Sequence, residues 1–133
     1  MFKTQGINHL GLSVRDLAQT TAFFTDCLGW EESGRDNSYP RCAVGDGNVR
    51  LTLWQVDHEI EVNEFQFRQN VGLHHVALEV STEDELNEVA AAVSAWKGVE
   101  IEFMPEPVGE GPRKHMIFYE PGGIRLEFIW PGN

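Results

Sequence analysis

Apolar and polar residues alternate from Ile7 to Val14. Leu10, Leu12 and Val14 fall on one face, and His9, Gly11 and Ser13 on the other. Alternation of this kind is the mark of a strand with one buried side. The period then lengthens. Asp16, with Gln19 three residues on, is a helix start, and Leu17, Thr21, Phe24 and Leu28 recur at helical spacing, with Phe23 and Cys27 widening the stripe. Gly29 is placed to end that helix in a left-handed turn. Short strand patterns follow at 30–33 and 41–44, and the Asp46-Gly47 turn leads into a strand at 49–56. The order is βαβββ.

The same order returns later in the chain. Residues 73–80 alternate, Thr82 and Glu85 form a capping box, and Leu86, Val89, Val93 and Trp96 give a helix its apolar stripe before Gly98. Strand patterns occupy 99–104, 114–119 and 124–130, the last two joined by a turn at Pro121-Gly122-Gly123. The two halves also share words. Ile7-Asn8-His9-Leu10-Gly11-Leu12-Ser13-Val14 matches Leu73-His74-His75-Val76-Ala77-Leu78-Glu79-Val80, and Gly47-Asn48-Val49-Arg50-Leu51-Thr52-Leu53 matches Gly122-Gly123-Ile124-Arg125-Leu126-Glu127-Phe128. Internal similarity at this period points to a duplicated unit. The expected fold class is α+β in a single domain over residues 1–133. Residues 5–56 form a first βαβββ unit, 57–71 an acidic linker and 72–131 a second unit. Each sheet needs its helix on one face only, so the opposite, curled faces are expected to enclose a cleft.

Composition narrows the function. The chain has 133 residues, 41% of them apolar, and a formal net charge of −11. Such acidity argues against nucleic acid and against an anionic membrane surface as partner. Cys27 and Cys42 read as core residues without a disulfide framework, and no signal-like or membrane-spanning run is present, so a cytoplasmic location is expected.

The repeat makes His9 equivalent to His75, and Thr52 equivalent to Glu127. By alternation His9, His75 and Glu127 all face away from the helices, while His74 points the other way. Two imidazoles and a carboxylate on matching faces make a candidate ligand set for a divalent metal, with positions left for substrate. On one face of the 114–119 strand His115 and Tyr119 are candidate acid–base residues. Thr52, Trp54, Arg113 and Arg125 are candidate substrate-binding residues, the arginines through their planar fork. His58 reads as solvent-facing.

These motifs resemble the vicinal oxygen chelate superfamily, which includes glyoxalase I, extradiol dioxygenases, fosfomycin-resistance enzymes, methylmalonyl-CoA epimerase and bleomycin resistance proteins. The resemblance covers nearly the whole chain, through residues 7–14, Phe23-Phe24, Leu28-Gly29-Trp30, residues 75–80 and residues 118–128. It implies His9, His75 and Glu127 as metal ligands and a homodimer as the assembly. The fourth position, a ligand in glyoxalase I, falls on Thr52, or on Arg50 in a shifted pairing. The catalytic tyrosine position of the extradiol enzymes, four residues before the turn proline, is Ile117, and Tyr119 stands only two before it.

The resemblance therefore implies a small metal-dependent enzyme that chelates a substrate through two neighbouring oxygens. Extradiol-type dioxygenase chemistry leads, with Fe(II) favoured over Mn(II), Ni(II), Co(II) or Zn(II). A glyoxalase I-like lyase or isomerase, a metal-free drug-binding protein and an accessory domain without turnover are the alternatives. The fold alone does not choose among them.

Overall fold

A computed structural model describes residues 1–133. The chain forms two compact units, Met1–Ile60 and Glu61–Asn133. Their boundary falls inside the acidic stretch 57–71.

In the first unit the order is β1 (Leu10–Val14), α1 (Leu17–Ala22), β2 (Glu31–Asp36), β3 (Arg41–Gly45) and β4 (Arg50–Gln55). The sheet order is β1-β4-β3-β2, with β1 parallel to β4 and the other pairs antiparallel. Register explains the two faces. Leu10 pairs with Leu51 and Leu12 with Leu53, while Gly11 pairs with Thr52 and Ser13 with Trp54. The first set lies under the helix, where Leu12, Val14, Leu51 and Leu53 are buried with Leu17, Phe23 and Phe24.

The helix departs from its sequence expectation. The α-helical turns stop at Ala22, and Phe23–Cys27 form a π-helical turn. The Leu28 amide reaches back to the Phe23 carbonyl at 3.1 Å, and the Trp30 amide to that of Phe24 at 2.9 Å. The wider turn lets two adjacent rings point inward. Phe23 and Phe24 are both fully buried and meet edge to face at 5.3 Å. Gly29 follows in the left-handed region at φ +75°, as a helix-ending glycine should. At the other end the Asp16 side chain accepts the Gln19 amide at 2.9 Å.

The second unit repeats the plan with β5 (Val76–Glu79), α2 (Glu83–Ser94), β6 (Glu100–Pro107), β7 (Lys114–Tyr119) and β8 (Arg125–Trp130). Its sheet order, β5-β8-β7-β6, copies the first, again with the outer pair β5 and β8 parallel. The capping box between Thr82 and Glu85 is complete in both directions. Leu86, Ala90 and Val93 are the buried stripe of α2, and Val89 is half-buried. Trp96 lies just beyond the helix. Met116, Phe118, Leu126 and Phe128 complete this core.

Glu120 holds the turn before β8. It is almost fully buried, and its carboxylate accepts the Gly122 amide at 2.7 Å and the Ile124 amide at 3.1 Å. Backbone bonds from Gly123 to Glu120 and from Glu120 to Ile124 close the same turn. This turn sets where β8 begins, and so where Glu127 falls in the sheet. No helix is long and apolar enough to cross a membrane.

Candidate functional site

The second unit carries a dense polar cluster on the sheet face away from α2. Ala77 pairs with Glu127, Ile117 with Glu127, His115 with Ile129 and Tyr119 with Arg125. Paired residues share a face, so His115, Ile117, Tyr119, Arg125 and Glu127 all project to one side. Met116, Phe118, Leu126 and Phe128 take the helix side, as the alternation requires.

Glu127 is the centre of the cluster and is 8% exposed. Its two oxygens face different imidazoles. Oε2 lies 3.4 Å from Nε2 of His75, which directly precedes β5, and Oε1 lies 3.3 Å from Nδ1 of His115 on β7. The His115 ring leans against Phe103 at 4.9 Å between centroids. Ile117, between His115 and Tyr119, is buried beside Glu127 and brings no polar atom.

The donor set of His75 and Glu127 fits a divalent ion. Two ligands held on one ion at about 2.1 Å stand roughly 3.0–3.4 Å apart. The 3.4 Å between His75 Nε2 and Glu127 Oε2 matches that spacing. Imidazole nitrogen with carboxylate oxygen suits iron, manganese, nickel, cobalt and zinc alike. No group of three His, Cys, Asp or Glu side chains is gathered closely enough in the chain to hold an ion.

Arg125 is buried in a cage of its own. Its Nε and Nη2 donate to the two oxygens of Glu102 at 3.1 and 2.7 Å, and Nη1 donates to Nδ1 of His74 at 3.2 Å. The Phe67 ring covers the guanidinium at 4.2 Å and also meets His74 at 4.8 Å. The Glu102 hydrogen bond pushes the Arg125 pKa above its ordinary value, against the opposing effect of burial, and Tyr119 adds to the rise. Arg113, the other arginine read as a substrate fork, is exposed just before β7.

His74 was not legible as part of this cluster. Strand alternation sends it away from His75, but β5 begins only at Val76, so the rule does not reach either histidine. Instead the two Nδ1 atoms meet at 2.7 Å. Glu102 and Phe67 also lacked any signal. Glu102 is one glutamate in an acidic chain, and Phe67 is an aromatic residue in a segment without periodicity.

In the first unit His9 directly precedes β1, as His75 precedes β5. It is exposed, and its Nδ1 lies 2.7 Å from Oδ1 of Asn8. Thr52 is the register equivalent of Glu127: Thr52 sits opposite Gly11, and Glu127 opposite Ala77. Its hydroxyl accepts the indole N–H of Trp54 at 3.0 Å. Trp54 is half-buried, with Tyr39 against its edge at 5.0 Å and Arg41 over its face at 5.3 Å. Gly11 leaves room for the pair, since a side chain there would meet the Thr52 hydroxyl at 3.3 Å. His58 Nε2 donates to the Arg15 carbonyl at 2.6 Å.

Comparison with known proteins gives the fold its name. A glyoxalase/bleomycin resistance protein/dioxygenase domain from Frankia sp. EAN1pec superposes with a TM-score of 0.81, at 21% identity over 98% of this chain and 94% of its own. A variant of the fosfomycin resistance protein FosX from Listeria monocytogenes gives 0.71, at 22% identity over 95% and 90%. That protein was crystallised with Mn(II) and 1S,2S-dihydroxypropylphosphonic acid. A mobile-metagenome protein of V. pseudocholerae gives 0.66, at 26% identity over 100% and 99%. No curated protein sequence matches the chain. The family model for the Glyoxalase/Bleomycin resistance protein/Dioxygenase superfamily matches residues 6–128, and the chain belongs to that superfamily.

Proposed function

We propose that this protein is a divalent-metal enzyme acting on a small substrate that chelates the ion through two neighbouring oxygens. The observation that carries the reading is the approach of His75 Nε2 to Glu127 Oε2 at 3.4 Å, on the face of the second sheet away from α2. His9 is proposed as the third protein ligand, because it holds the repeat-equivalent place of His75. A bound ion would supply Lewis-acid stabilisation of negative charge developing on substrate oxygen. Fe(II) is the favoured ion for oxygen chemistry, and Mn(II), Ni(II), Co(II) and Zn(II) suit the same donors.

The chain's own residues supply the rest. His115, which meets Glu127 and Phe103, is proposed to move a proton at its ring nitrogen. Trp54, Thr52 and Arg113 are proposed to meet the substrate. Tyr119 is proposed to assist His115, although its partner in the sheet is Arg125. Arg125 would act on substrate only by exchanging one of its present partners. The resemblance also implies a homodimer, which light scattering tests.

Oxygen-dependent ring cleavage of a catechol-like diol is the leading reaction, since the proposed set of His9, His75 and Glu127 would leave adjacent positions for a bidentate substrate. A second reading is glyoxalase-type lyase or isomerase chemistry on a substrate with two neighbouring oxygens. The Listeria relative, crystallised with Mn(II) and 1S,2S-dihydroxypropylphosphonic acid, supports a divalent ion and a small oxygen-bearing substrate in either reading. The test is anaerobic loading with Fe(II) or Mn(II), followed by a diol panel in an oxygen electrode and a glutathione hemithioacetal read by product analysis. Oxygen uptake with a diol supports the first reading, and turnover of the hemithioacetal without oxygen supports the second. Ligand binding that is indifferent to metal would make the chain a binding protein.

A further inference from the structure

The two histidines of the repeat share a feature that lies one residue upstream of each. Asn8 precedes His9 and His74 precedes His75, and in both pairs the Nδ1 of the second residue meets an acceptor on the first at 2.7 Å. For His9 the direction is fixed by chemistry. The Asn8 oxygen can only accept, so His9 Nδ1 carries the hydrogen, and in the neutral ring Nε2 is bare.

For His75 the direction is fixed by Arg125. A guanidinium has no acceptor, so the 3.2 Å bond from Arg125 Nη1 makes His74 Nδ1 an acceptor. His75 Nδ1 must then donate to the same His74 lone pair. In the neutral ring that leaves a lone pair on His75 Nε2, aimed at Glu127 Oε2. Two acceptors then face one another, an arrangement that a proton or a metal ion between them satisfies. Arg125 is itself immobilised, by both oxygens of Glu102 below and by the Phe67 ring above.

We propose that Arg125 and His74 are positioning residues: they lock His75 into the tautomer whose Nε2 is free to bind a metal, as Asn8 does for His9. The proposal rests on the reading of His75 and Glu127 as metal ligands and adds the device that prepares one of them. Without the relay, His75 Nε2–H donates to Glu127 instead, and the lone pair is lost to the metal. Hydrogen-bond partners behind a ligating histidine are worth about ten- to a hundredfold in metal affinity.

The experiment has two arms, on wild type, His74→Ala, His74→Asn and Arg125→Lys. In the first, nitrogen NMR of ¹⁵N-histidine-labelled, metal-free protein at mildly alkaline pH reads which His75 nitrogen is protonated. Wild type and His74→Asn should show protonated Nδ1 and bare Nε2. His74→Ala should shift towards protonated Nε2, and Arg125→Lys should lie between. In the second arm, Mn(II) binding followed by electron paramagnetic resonance should weaken about ten- to a hundredfold in His74→Ala and recover in His74→Asn. Recovery in the asparagine variant separates positioning from general damage to the fold. A His75 tautomer unchanged in His74→Ala overturns the relay, whatever the metal does. A wild-type chain with the expected tautomer but no Mn(II) uptake overturns the ligand reading and leaves the relay standing.

Discussion

Glu127 sits between His75 and His115, with one oxygen 3.4 Å from His75 Nε2 and the other 3.3 Å from His115 Nδ1. The two imidazoles are not equivalent. His75 shares its repeat position with His9, whereas His115 occupies the middle of the sheet face, backed by Phe103. A carboxylate that binds a metal through one oxygen and steadies an acid–base residue through the other would couple the two tasks. His115→Ala should therefore keep Mn(II) affinity within a few-fold of wild type while lowering turnover by about 10²–10⁴. Equal loss of metal in this variant, measured by electron paramagnetic resonance, would make His115 a ligand instead.

Thr52 stands where the repeat would place a second carboxylate, and its hydroxyl is occupied by the Trp54 indole. A neutral hydroxyl is a poor ligand beside imidazole and carboxylate. Thr52→Ala should leave metal content unchanged and cost about 0.5–1.5 kcal/mol of stability for the lost hydrogen bond. Metal analysis and a chemical melt on the same sample check both halves. A fall in metal content comparable with that of Glu127→Ala would contradict the account.

Glu120 gives a prediction about the fold. Its carboxylate satisfies two backbone amides inside a turn from which water is largely excluded. Hydrogen bonds to a charged group are each worth about 1.5–3 kcal/mol. Glu120→Ala should thus lower stability by at least about 2 kcal/mol, and Glu120→Gln, which keeps one acceptor, by less. A melting midpoint unchanged in Glu120→Ala would show that the Pro-Gly-Gly segment closes the turn alone.

The architecture was readable because two periodicities and a repeat agree. Alternation at Leu10–Leu12–Val14 and the Thr82–Glu85 box both appear in the structure as expected. The repeat also gives Thr52 and Glu127 matching places, and the strand registers agree with it. The π-helical turn at Phe23–Cys27 escaped because a stripe containing two adjacent phenylalanines is compatible with a wide α-helical face. The strand starts escaped by up to three residues, since β1 begins at Leu10 and β5 at Val76. That shift had a consequence: both candidate ligand histidines lie just outside their strands, where alternation does not govern direction. The cage around Arg125 draws Glu102 from β6 and Phe67 from the segment before β5. Such contacts are set by tertiary packing, and no local pattern in the sequence announces them.

The central claim is that His75 and Glu127 hold one divalent ion. The most direct measurement is a Mn(II) titration of the metal-free protein, followed by electron paramagnetic resonance, for wild type, His75→Ala, Glu127→Ala and the double variant. The account predicts saturable binding in wild type, a severe loss in each single variant and little further loss in the double, because both side chains serve the same ion. Wild-type affinity retained in Glu127→Ala, or losses that simply add in the double variant, would contradict it.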